Sequence, residues 1–299
     1  MATVLVLGVG GVLGEAWMWG YLGGAQQATG EDPRRSKQLI GTSAGSIVAA
    51  RLAGGEDPRR REARVRWDGE AEPERRPNAL RAAIERATRI SMGALSPLAA
   101  PALTAATPGG ALARAAVLAR VPAGRIELRD LRSRVDALGP TFRDGRLNIV
   151  AVDRGSGRRV VFGSDSGPDA SVAEAVAASC AVPGLFAPVE IGGREYVDGG
   201  VWSPTNLDLA RAGRGDRVLC LVPTAVMGTG PAIALRGLAA GWRLATSVEA
   251  AAARRRGAEV EIVAPDAGSA RAMGTDLMNP GRRASVLAEG FRQGSAREG

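Results

Sequence analysis

The 299-residue sequence contains no histidine. That absence excludes Ser-His-Asp and Cys-His catalysis, His-Glu-x-x-His metal sites and histidine proton relays. A nucleophile in this chain must be served by a carboxylate or by Lys37, the only lysine. Cysteine is scarce as well. Cys180 and Cys220 lie in apolar surroundings with no Cys-x-x-Cys pattern, so buried free thiols are expected rather than a disulfide framework or a zinc site, and no metal is expected. No stretch reaches 18 uninterrupted apolar residues, and no transmembrane helix is indicated. Met1 to Leu7 is apolar but lacks a basic flank and leads into a glycine loop. It reads as a first strand rather than a signal peptide, which makes a cytoplasmic location the default expectation.

What is present fits a soluble globular protein: 45% hydrophobic and 23% charged residues. The length suits one large α/β domain or two small ones. The net charge of +8 is carried almost wholly by arginine. A basic surface attracts nucleic acid, anionic head groups or acidic substrates. Here the arginines are scattered among acids, as in Glu56 to Arg76, so a solvated surface is expected and no nucleic-acid partner.

Along the chain, Thr3–Leu7 is a short apolar run without polar alternation, suited to a strand covered on both faces. The loop Gly8-Val9-Gly10-Gly11-Val12-Leu13-Gly14 follows, and then a helix from Glu15 to about Ala28. Strands are expected at Gln38–Thr42, Arg146–Val152, Arg159–Phe162, Arg194–Asp198, Val218–Val222 and Val260–Val263. Helices are expected after Ser43, at Leu80–Ile90, Ala111–Arg120, Val172–Ala178 and Leu235–Arg255. The broken apolar region 80–121 suits a mobile cap, a lipid-contacting surface or a helical insertion packed on the sheet. Strand and helix alternate with no break in composition, which predicts one α/β domain over residues 1–299 with helices on both faces of the sheet.

Three segments carry candidate chemistry. Gly41-Thr42-Ser43-Ala44-Gly45, between an apolar strand and a helix-forming run, has the form of a nucleophile elbow, with an ordinary turn and capping serine as the alternative. The glycine loop reads as a dinucleotide fingerprint or as an oxyanion hole made by the amides of Gly10, Gly11 and Val12. The fingerprint requires an acidic residue about 20 residues on, at the end of the next strand. That strand ends instead in the serine turn, so the oxyanion reading is preferred and a nucleotide-binding oxidoreductase is disfavoured. For a base, Asp198 closes a strand and is followed by Gly199 and Gly200. Asp153 also ends a strand but precedes Arg154 in what reads as an exposed hairpin. Ser179 is flanked by apolar residues without a glycine elbow and reads as structural.

Taken in order, these segments resemble the patatin-like phospholipase family: the glycine loop with Gly8, Gly10, Gly11 and Gly14, the elbow with Gly41, Ser43 and Gly45, and Asp198-Gly199-Gly200. Ala178–Phe186 and Val201–Asn206 resemble the family's sequence on either side of its aspartate, so the likeness spans about residues 3–222. Residues 230–299 form a helical C-terminal part without a recognised motif. The resemblance implies a three-layer α/β/α fold with a mostly parallel sheet and a helical cap insertion. It also implies a cofactor-independent lipid acyl hydrolase of phospholipase A type with a Ser43–Asp198 dyad, acting on lipid or acyl-ester substrates with peripheral membrane contact. The family usually has four consecutive glycines and a basic residue in the loop; here Val9 interrupts the glycines and Leu13 takes the basic position. Those departures keep a second reading open, a non-catalytic or weakly active lipid-binding protein.

Overall fold

The computed structural model describes residues 2–60, 110–225 and 233–297. The predicted helix at Leu80–Ile90 and residues 91–109 of the expected cap lie outside the described residues, as does the polar stretch beyond residue 60. One mixed, mostly parallel sheet organises the rest. Its strands are β1 (Ala2–Leu7), β2 (Gln38–Thr42), β3 (Leu147–Asp153), β4 (Arg159–Phe162), β5 (Val189–Ile191), β6 (Arg194–Asp198), β7 (Asp216–Leu221) and β8 (Glu259–Val263). β3, β2, β1, β7 and β8 pair side by side in parallel, while β4 and β6 join β3 antiparallel and β5 pairs with β6.

Helices cover both faces, and the two-residue period of the strands separates them. Leu5, Leu7, Leu39, Ile149, Leu219 and Leu221 pack into one core with α1 (Gly11–Thr29), α2 (Ala44–Ala53) and residues of four further helices, α4 (Arg129–Asp136), α5 (Val172–Ser179), α7 (Ala267–Met273) and α8 (Arg283–Ser295). The remaining helix on the chain between α2 and α4 is α3 (Gly110–Arg120), whose Leu118 packs separately with Val152 of β3 and Val197 of β6. The intervening residues Val4, Val6, Ile40, Val150, Val218 and Cys220 face a second core completed by Ala250 and Ala253 of α6 (Ile233–Arg255). The fold is therefore a three-layer α/β/α arrangement. Cys180 and Cys220 are buried free thiols.

The chain closes with α7 (Ala267–Met273) and α8 (Arg283–Ser295). α8 lies on α1 at backbone contact. A Cβ on Gly20 would sit 2.1 Å from the Leu287 carbonyl oxygen, and one on Gly294 would sit 2.1 Å from that of Tyr21. Small residues four apart on each helix permit that approach. Ion pairs fix the same corner: Arg51 of α2 reaches Glu15 of α1 at 2.5 Å, Arg283 reaches Glu15 at 2.7 Å, and the Arg51 guanidinium stacks 3.5 Å from the Trp19 ring centre. Trp17, Trp19 and Tyr21 are all buried, since α1 is enclosed on nearly every side.

Two local expectations are corrected. α1 begins at Gly11 rather than Glu15, because the end of the glycine loop forms the first helical turn, with Gly10 as its cap. Asp153 is buried, not exposed: the Ser156 amide donates to it at 2.7 Å and Arg194 of β6 pairs with it at 3.2 Å.

Candidate functional site

The sheet itself brings the two candidate catalytic residues together. On β3, Val150 pairs with Thr42 of β2 and Val161 of β4, while Ala151 pairs with Asp198 of β6 and Val160 of β4. A strand has two edges, so β6 must occupy the same edge of β3 as β2. The two strands run toward each other along that edge and end side by side. Ser43 follows the last residue of β2, and Asp198 is the last residue of β6.

Ser43 leaves β2 at φ 54°, ψ −121°, a left-handed conformation that costs a residue with a Cβ about 1–3 kcal/mol. The flanking glycines serve a different purpose from the one a turn motif suggests. A Cβ on Gly45 would lie 2.0 Å from the Leu7 carbonyl oxygen, and one on Gly41 would lie 2.5 Å from the Ser46 Cα. They let α2 fold back onto β1 and β2, and the positive φ is borne by Ser43. Hydroxyls hold the strained residue on both sides. Ser43 N–H donates to Ser179 Oγ at 2.9 Å, and Ser46 Oγ–H donates to the Ser43 carbonyl at 2.6 Å.

Asp198 is 4% exposed. Burial pushes its carboxyl up to about 6, against hydrogen bonding with the Ser43 side chain and the Gly200 amide, which pulls it down. The Gly200 amide donates to Oδ1 at 2.7 Å. A carboxylate so placed is a stronger base than a solvated one and accepts a proton near neutral pH. Gly199 is required by the approach of the Val150 carbonyl oxygen, 2.4 Å from where its Cβ would stand.

The glycine loop is pinned at intervals. Gly8 N–H donates to Leu221, Val9 N–H to Pro204, Leu13 N–H to Leu277 and Gly14 N–H to Gly10. The amides of Gly10, Gly11 and Val12 have no acceptor among the described residues, as the first turn of a helix leaves them. The departures from the family pattern have physical reasons. Leu13 is fully buried in the core beneath α1, a place where a cation would be desolvated. Val9 packs against Gly200, its Cγ1 2.7 Å from where a Cβ on Gly200 would be.

Some functional neighbours escaped the reading of the sequence. Asn206, at φ 52°, donates to Thr42 Oγ1 at 3.1 Å and so braces the residue before Ser43. Glu249 of α6 holds the same loop, accepting from Thr205 Oγ1 at 2.9 Å and from the Leu207 amide at 2.8 Å, and its burial pushes its carboxyl up. The signal was faint: a lone Asn after the Asp-Gly-Gly run and an acid inside an Ala-rich helix. Arg114 of α3 stacks 4.0 Å from the centre of Trp202 and donates to the Gly157 carbonyl at 2.9 Å, tying α3 to the segment after Asp198. Among the described residues no cluster of Cys, Asp and Glu is arranged to hold a metal ion.

A family model described as patatin-like phospholipase matches residues 5–211, more than half of the chain. No curated protein gives a match. Among solved structures, VipD from Legionella pneumophila is similar over 98% of this chain and 65% of its own, at 17% identity and a TM-score of 0.41. The type III effector protein ExoU is similar over 98% of this chain and 52% of its own, at 18% identity and a TM-score of 0.39. The chain thus spans less than two thirds of VipD and about half of ExoU.

Proposed function

The chain belongs to the patatin-like phospholipase family, and on that footing we propose that it cleaves acyl ester bonds of phospholipids or related lipids through a Ser43–Asp198 dyad. Asp198 takes the Ser43 hydroxyl proton as Oγ attacks the ester carbonyl. The oxyanion rests on amides of Gly10, Gly11 and Val12, which no group among the described residues occupies. Collapse expels the alcohol, which leaves with the proton from Asp198, and Ser43 carries the acyl group. Asp198 then accepts a proton from water, whose oxygen attacks the acyl carbon; the second collapse returns the proton to Ser43 and releases the fatty acid. No histidine and no metal enters these steps.

The observation that carries the reading is the strand register that ends β2 and β6 side by side, which sets Ser43, held at positive φ, next to the buried carboxyl of Asp198, raised by burial to about 6. Substrates of this class sit in membranes. No described helix is long and apolar enough to cross one. The exposed apolar side chains Leu112 on α3 and Leu244 and Val248 on α6 support peripheral contact with a lipid surface.

The test is covalent. A fluorophosphonate probe labels the folded wild-type protein, Ser43→Ala abolishes the labelling, and Asp198→Asn abolishes turnover of a p-nitrophenyl ester. Folded protein that is never labelled defeats the reading. The buried Leu13 and the Val9–Gly200 contact favour one second reading, a lipid-binding protein without turnover. It predicts fatty-acid binding that Asp198→Asn leaves unchanged, and measurable ester hydrolysis lost in that variant counts against it.

A further inference from the structure

β2 and β3 pair in parallel, and Leu39 N–H donates to the Arg146 carbonyl at 2.8 Å. Alternate residues continue such a ladder, so its rungs fall at Gly41 to Asn148 and then at Ser43 to Val150. That last rung cannot form directly, because the chain turns away at Ser43, φ 54°. Ser179 fills the gap. Its hydroxyl accepts from Ser43 N–H at 2.9 Å and donates to the Val150 carbonyl at 2.6 Å.

From this we infer that Ser179 is a positioning residue for the nucleophile: a hydroxyl inserted into the sheet as a substitute rung, which holds Ser43 in its strained conformation. The inference rests on the proposed nucleophilic role of Ser43. Three observations support it beyond the two bonds. Ser179 is fully buried, so water does not reach the gap freely from outside. The gap presents one donor and one acceptor, and a hydroxyl satisfies both at once. Val150 pairs with the last residue of β2, and its neighbour Ala151 pairs with Asp198, the last residue of β6, so the bridged carbonyl lies where the two strand ends meet.

An alanine at 179 leaves Ser43 N–H and the Val150 carbonyl without partners in the interior, which favours relaxation of Ser43 out of its left-handed conformation. A misplacement near 1 Å costs about 10²-fold in turnover. A role confined to stability would instead lower the melting temperature and leave the folded fraction with normal turnover.

The experiment compares wild type, Ser179→Ala and Ser179→Thr by amide hydrogen exchange at Ser43, read by NMR without substrate, and by kcat and KM on a soluble p-nitrophenyl ester. In Ser179→Ala, exchange at Ser43 is expected to rise at least about 10-fold while the other β2 amides stay protected. Turnover is expected to fall about 10²-fold at nearly constant KM, and threonine is expected to restore both. A folded Ser179→Ala protein with wild-type exchange at Ser43, or with exchange raised equally along all of β2, overturns the inference. If Ser179→Ala does not fold, Ser179→Cys, which keeps the shape with a much weaker donor, is read by the same exchange criterion. A wild-type protein unreactive toward fluorophosphonate defeats the hydrolase reading, and the exchange at Ser43 still decides the rung.

Discussion

Replacing Asp198 by asparagine is expected to stabilise the protein, by an amount that depends on pH. The Asp198 carboxyl is raised from 3.8 to about 6 by burial. At about 1.4 kcal/mol for each factor of ten, the folded state disfavours the ionised form by roughly 3 kcal/mol. Because the folded value lies above the unfolded one, the protonated carboxyl carries no penalty below about pH 4. Stability is then lost as pH rises through the interval between the two values and levels off above about 6. Asparagine is neutral throughout and keeps an oxygen for the Gly200 amide. The stability gap between Asp198→Asn and wild type is expected to be roughly 1.5 kcal/mol at pH 5 and roughly 3 kcal/mol at pH 7.5. Urea unfolding at the two pH values, with equal m-values, measures it. A gap that is the same at both, or a variant less stable than wild type at pH 7.5, refutes the argument that Asp198 is held ionised at the expense of the fold.

Other expectations follow from the same geometry. If Asp198 is the base, kcat/KM on a soluble ester falls about tenfold per pH unit below about 6, and a profile flat to pH 4.5 contradicts it. Ser43→Gly is expected to be about 1–2 kcal/mol more stable than Ser43→Ala, since glycine relieves the φ of 54° and alanine does not; denaturant midpoints decide. Leu13→Arg, which restores the family's basic residue, is expected to destabilise by at least about 3 kcal/mol because position 13 is fully buried, seen as a lost or sharply lowered unfolding transition. Gly24→Ala places a Cβ 2.1 Å from the Phe291 carbonyl oxygen and is expected to cost about 3 kcal/mol, with earlier proteolytic release of α8.

Much of the sheet was legible because its strands are short apolar runs with polar or glycine ends. The pattern at Gln38–Thr42 gives the bounds of β2, and the expected hairpin matches β3 and β4 to within a residue. The family and the fold class were legible too, from three ordered motifs. What escaped depends on register between distant strands. Asp153 reads as exposed in its own hairpin, yet Arg194, about forty residues on, covers it. Ser179 lies in the run Ala178–Phe186 that resembles the family's, but nothing in that run marks it as a bridge; its place is defined only once Ser43 and Val150 face each other across β2 and β3. The packing of α8 on α1 escaped for a related reason. Glycines weaken a helical pattern when read alone, and their value here lies in the backbone they admit from the opposite helix.

The head-on meeting of β2 and β6 along one edge of β3 makes the spacing of Ser43 and Asp198 a discrete quantity. It is measured out by the single step from Val150 to Ala151. Strand pairing changes in whole residues, and a slip of one turns every side chain to the opposite face. The pair therefore has no soft coordinate along which gradual drift of β6 could detune it. Sequence change at this edge meets a threshold rather than a slope: the two residues stay in register, or the meeting is lost altogether.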